Sequence, residues 1–110
     1  YVVMGAAVEE SLDLEKALKA IASPRRLQIM QWLQDVAANF PAQVHGDPVK
    51  HGACNLFITD KLEVSQPAAS RHMKVLVEAG LVVPTARSGW VYYRRNEPVV
   101  DALKHQLLAL

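Results

Sequence analysis

One stretch constrains the fold more than any other: VSQPAASRHMKVLVEAGLV, Val64 to Val82. Ser65 is a strong N-cap, able to accept a hydrogen bond from the Ala68 N–H. Pro67 then falls in the first turn, where its missing N–H displaces no intrahelical bond. Gly80 stands where the left-handed residue that ends a helix belongs. Between these ends Ala69, Met73 and Leu76 recur at helical spacing and predict one buried stripe. At about 100° per residue, Arg71, Lys74 and Glu78 fall on the opposite side. The stretch predicts a helix with both ends fixed, one apolar side and one largely basic side.

The flanking sequence supplies its neighbours. A first helix is expected from about Glu9 to Ala22, with Leu14, Leu18 and Ile21 at helical spacing and Ala17 beside them. Ser23 and Pro24 open a second helix as N-cap and first residue. It is expected to continue through Asp35 and carries Leu27, Ile29, Met30 and Leu33. ANFPAQVHGDP, with two prolines and a glycine, predicts a loop. A short helix is expected from about Val49 to Leu62, with Leu56, Ile58 and Leu62 inward. A tight turn at Glu63-Val64 would join it to the Ser65 helix. LVVPTARSGWVYYRR is rich in Val, Trp and Tyr around a Ser88-Gly89 turn. It predicts a hairpin with strands near Val82–Ala86 and Trp90–Arg94. NEPVVDALKHQLLAL closes as an amphipathic helix with Pro98 in its first turn. The fold class is mainly α with a β-hairpin wing: a winged helix-turn-helix. The reading is one domain over 1–110, with the helix-turn-helix at about 50–80 and the wing at about 82–95. Terminal helices at about 9–22 and 97–109 are expected to serve dimerisation.

Bulk properties narrow the function classes. Half of the 110 residues are hydrophobic, a globular composition rather than a disordered one. No apolar run approaches the roughly 18 residues needed to span a bilayer. YVVMGAAVEESLDLEK lacks the basic head of a signal peptide, and Met4 is a candidate native start. Cys54 is the only cysteine, so no internal disulfide can form. The expected location is the cytoplasm. Net charge is only +1, but from Ser65 to Arg95 five basic residues face one acidic residue. A local basic patch on a nearly neutral chain suggests a face that meets an anion.

The residues of the Ser65 helix fit a major groove. Gln66 and Ala68 lie at its leading end, and Ser70 at the edge of its exposed side. Gln66 can read adenine, and Ser70 can reach a base or a phosphate. Arg71 can fork to guanine or phosphate, and Lys74 suits a phosphate. In the wing, Arg87, Ser88 and Gly89 make a thin basic tip suited to a minor groove or to the DNA backbone. Arg94 and Arg95 are expected to leave the second strand toward the same side. Trp90 and Tyr92 are expected to pack the hairpin onto the helices. Two other function classes stand beside this one. A winged helix can serve as a protein-interaction module without binding DNA. An enzyme built around Cys54 and His51 would need an acid–base pair or phosphate loop that the chain does not offer.

ALKAIASPRRLQIMQWL, VSQPAASRHMKVLVEAGLV and SGWVYYRR together resemble the ArsR/SmtB family of bacterial winged-helix repressors, over roughly Leu14 to Arg95. The resemblance implies a homodimer, built from the first and last helices, on an inverted repeat of double-stranded DNA near a promoter. It implies DNA contacts from Ser65, Gln66, Ser70, Arg71 and His72. The terminal helices independently suggest pairing. Val99, Leu103, Leu107 and Leu110, widened by Val100 and Leu108, exceed what a small core can cover, as do Val8, Leu12, Leu14, Leu18 and Ile21. Paired recognition helices would address half-sites roughly 34 Å apart.

The same resemblance raises metal sensing. The family's Cys-x-Cys pair falls here on Cys54 and Leu56, so the second thiolate is missing. A second family site draws on Asp and His of the last helix. Asp101 and His105 stand at that spacing, but the further ligands do not follow. His45, Asp47, His51 and Cys54 lie within ten residues and are all suitable ligands for Zn(II), Ni(II) or Co(II). Their spacing matches no strong metal motif, and the place of any metal is left open.

Overall fold

The computed structural model describes residues 12–110. Val8 and the start of the first expected helix lie outside them. In chain order the described elements are α1 (Leu14–Ile21), α2 (Pro24–Trp32), α3 (Val36–Asn39), β1 (Ala53–Cys54), α4 (Asn55–Leu62), α5 (Gln66–Glu78), β2 (Val82–Arg87), β3 (Trp90–Arg95) and α6 (Glu97–Leu108).

Local chemistry sets most boundaries. The Asp13 carboxylate accepts from Lys16 N–H and starts α1. Ser23 caps α2 through Arg26 N–H, with Pro24 behind it. α2 stops at Trp32, short of the expected Asp35, because the Asp35 carboxylate instead caps α3, a single turn that runs into the expected loop. Ser65 Oγ accepts from Ala68 N–H at 3.2 Å and starts α5. Gly80, at φ +78, ends it. Such caps satisfy N–H and C=O groups that a helix end otherwise leaves bare.

The core gathers Ile29, Ile58, Ala69, Met73, Leu76, Leu81 and Val99, all essentially shielded from solvent. The predicted stripe of α5 is thus fully buried. In α1 the small residues Ala17 and Ala20 face the core, and Leu18 stays 37% exposed. In α6 Val99, Val100 and Leu103 are buried in the chain's own core. The surplus apolar surface of that helix is therefore Leu107, Leu108 and the adjoining Leu110, not the whole stripe the sequence suggested.

Three features depart from expectation. The region from Val49 is a turn followed by β1, and α4 begins only at Asn55. β1 pairs antiparallel with β3, Ala53 to Tyr93 and Cys54 to Tyr92, so the wing is three-stranded in the order β1-β3-β2. Leu56 and Leu27 face outward, 41% and 44% exposed. Among the described residues, no helix is long and apolar enough to cross a membrane.

Candidate nucleic-acid interface

α4 and α5 are joined through Glu63, which sits in the left-handed region at φ 58. Its N–H closes α4 on Thr59 and Asp60 carbonyls, and the chain reverses in two residues. This turn sets α5 across α4. The buried Ala69, Met73 and Leu76 then fix which side of α5 faces out.

That outward side carries Ser65, Gln66, Ser70, Arg71 and Lys74, all exposed. Ala68 is half-buried against the cap. Ser65 spends one lone pair on Ala68 N–H and keeps its own O–H free to donate. His72 is half-buried. Its Nδ1 stands 3.2 Å from Arg26 Nη1. A guanidinium only donates, so Nδ1 accepts and the ring carries its proton on Nε2. Burial, then Arg26, Arg25 and Arg71 nearby, hold His72 below the ordinary histidine range. Arg26 also donates through Nε to the Ala20 carbonyl at the end of α1. Sequence reasoning missed Arg25 and Arg26 as part of this face. Their proximity to α5 comes from folding across 46 positions, and no local pattern announces it.

The wing tip is a two-residue turn, with Ser88 at φ 53 and Gly89 at φ 82, both positive as a type I′ hairpin needs. Arg87, Ser88 and Gly89 are exposed. Arg87 is tethered, its Nε donating to the His45 carbonyl at 3.1 Å. Adjacent strand residues point to opposite faces, so Arg94 and Arg95 cannot leave together. Arg94 is half-buried. Arg95 is buried, its Nε and Nη2 each 2.9 Å from a Glu97 carboxylate oxygen. Its charge is answered inside the protein. Tyr92 packs inward as expected, but Trp90 remains 45% exposed. It shares a shallow apolar cavity with Leu56, Phe57 and Cys54.

The metal candidates do not converge. Among the described residues, no three His, Cys, Asp or Glu side chains gather where an ion could be held. Asp47 instead accepts from Val49 and Lys50 N–H, and these bonds lower its carboxyl pKa. His51 Nδ1 accepts from Asp47 N–H at 2.9 Å. Cys54 is buried. His105 Nδ1–H donates to the Asp101 carbonyl, the backbone and not the carboxylate. With Leu56 in place of a second thiolate, these residues do not fit the family's thiolate metal site.

A capped helix with an exposed polar face, set by a tight turn and followed by a wing, defines a winged helix-turn-helix protein. Residues 57–83, covering most of α4, all of α5 and the start of β2, match the model of the bacterial regulatory protein arsR family. The HTH-type transcriptional regulator YbzH of Bacillus subtilis is 34% identical over 88 residues, covering 80% of this chain and 88% of that protein. HlyU from Vibrio cholerae superposes with a TM-score of 0.56 at 27% identity, covering 99% of this chain and 100% of that one. A homodimeric winged helix-turn-helix DNA-binding domain from Mycobacterium bovis shares the fold, with a TM-score of 0.62 at 23% identity over 99% of this chain and 87% of that one. The chain belongs to the ArsR family of bacterial regulatory proteins and is a transcriptional regulator.

Proposed function

We propose that the chain binds double-stranded DNA sequence-specifically, as a homodimer on an inverted-repeat operator, in the cytoplasm. One observation carries the reading. α5 buries its whole apolar stripe and presents Gln66, Ser70, Arg71 and Lys74 on one exposed side. A helix can lie in the major groove only if that side is free and polar. Gln66 and Ser70 at the leading end address base edges. Arg71 forks to a guanine or a phosphate, and Lys74, Arg87, Ser88 and Arg94 meet the backbone. Ser65 and Ala68 let the backbone approach closely. Support for the dimer comes from Leu18 on α1 and Leu107, Leu108 and Leu110 at the end of α6, apolar side chains the described chain does not cover. The Mycobacterium bovis domain of the same fold is itself homodimeric.

The test is a titration of the purified protein against labelled duplex from its own upstream region, beside a scrambled duplex, at matched salt. Arg71→Ala should weaken the specific complex by about 1–3 kcal/mol. Equal affinity of the parent for both duplexes would overturn sequence-specific recognition. An Arg71→Ala protein as tight as the parent would overturn the assigned face.

A further inference from the structure

We propose that Arg25, Arg26, Arg71 and His72 form a clamp for one phosphodiester group of the DNA backbone, beside the groove contact of α5. The inference rests on the DNA-binding reading and adds a site to it. Arg26 is held at two points, through Nε on the Ala20 carbonyl and through Nη1 on His72 Nδ1. This leaves the His72 ring neutral, with its Nε2–H as the remaining ring donor. Arg71 precedes His72 on α5, and Arg25 precedes Arg26 in the first turn of α2. Arg26 touches the imidazole, and Arg25 and Arg71 lie near enough for their charge to act on it.

Among the described residues no carboxylate answers their charge. Among the described residues the ion pairs are Lys19 with Glu15 and Arg95 with Glu97, and neither involves this cluster. Like charges gathered without an internal counterion repel one another, and an oxyanion relieves that repulsion. Guanidinium forks match the geometry of phosphate oxygens. The position selects the source. Arg71 is next to Ser70 on the face read as groove-facing, so the cluster borders that face where a backbone strand would pass. Arg26 acts as the positioning residue, tying α1 to α5. Arg25, Arg71 and the His72 Nε2–H are the contacts.

Arg25 is exposed, and its side chain makes no hydrogen bond among the described residues, so Arg25→Ala leaves the fold intact. The experiment measures affinity of the full chain for upstream and scrambled duplexes across a salt series. Each neutralised phosphate contributes about 0.9 to the slope of log K against log salt. Arg25→Ala should reduce that slope by about 1 and weaken both duplexes by the same factor. Arg25→Lys should keep the slope, because the charge remains. A parent that binds while Arg25→Ala shows an unchanged slope overturns the clamp alone. A parent that binds neither duplex removes the DNA reading and the clamp with it. Inorganic phosphate titrated into DNA-free protein at constant ionic strength provides the other arm. Saturable shifts of the His72 ring signals there would assign the cluster to a free anion and overturn the DNA assignment.

Discussion

The recognition helix and the support beneath the wing are built on opposite principles. In α5 the bounds and the buried side are settled within a few positions of each residue. Ser65 caps Ala68, Pro67 opens the first turn, Gly80 ends the helix, and the stripe repeats at helical spacing. In the support, from Phe40 to Cys54, local turns such as the Asp47 cap are locked in place by partners farther along the chain. The Gln43 amide donates to the Gly52 carbonyl and its oxygen accepts from Cys54 N–H. Gly46 lies against the Tyr92 ring, and Gly52 against the backbone of Tyr93 and Arg94. Arg87 reaches back to His45. The difference teaches where tolerance lies. A helix set by local signals loses them one at a time, whereas a support set by close approach fails when any approach is blocked.

The largest effect should come from adding one carbon to the support. Gly52 has φ +97, and a Cβ there would lie 1.9 Å from the Tyr93 carbonyl oxygen and 2.7 Å from Arg94 N. Both atoms belong to the β3 backbone, which cannot rotate aside. Gly52→Ala must separate β1 from β3 or strain the turn, and the loss should reach about 4 kcal/mol, at the extreme of single substitutions. Urea unfolding measures it. A Gly52→Ala protein as stable as the parent would show that the support yields and that the contrast with α5 is false.

Removing one oxygen from α5 should cost much less. Ser65→Ala deletes the cap on Ala68 N–H, and about 1 kcal/mol of stability should go with it. The buried Met73 and Leu76 still hold the helix in place. A loss as large as that of Gly52→Ala would mean that α5 depends on its end as absolutely as the support depends on its glycine.

The same contrast explains what the sequence discloses. The starts of α2, α5 and α6 and the hairpin turn follow from caps, prolines, period and turn residues, all local, whereas the end of α2 at Trp32, short of the expected Asp35, does not. β1 has two residues, too few to show a period, and is a strand only because β3 runs beside it. Its absence from the sequence reading shifted the expected start of α4 to Val49. Arg95 looks like another cation of the basic stretch, although Glu97 stands only two positions on; what the sequence hides is the burial of Arg95 beside the Met30 carbonyl, 65 positions away. Arg25 and Arg26 look like ordinary residues of a helix start until His72 arrives from α5. On the exposed face, Gln66, Ser70, Arg71 and Lys74 were legible because the buried stripe of their own helix determines where they point.

The smallest effect separates the two regions by protons. His51 in the support and His72 on α5 are both held below the ordinary histidine value of 6.5. For His51 the cause is burial first, then Arg87 and Lys50, partly offset by Asp47. For His72 it is burial, then Arg26, Arg25 and Arg71. Each ring also accepts a hydrogen bond at Nδ1, from Asp47 N–H and from Arg26 respectively, and a proton there would abolish it. Between each lowered value and about 6.5, the unfolded chain binds a proton that the folded chain refuses. Stability contributed by the neutral rings is therefore complete above that range and falls as pH drops through it. Glutamine can accept at Oε1 without titrating. His51→Gln and His72→Gln should each flatten part of the decline in unfolding free energy on the acid side, and the double variant more than either. If neither variant changes the slope, the acid sensitivity belongs to other groups. The two imidazole acceptors would then contribute nothing to holding either region.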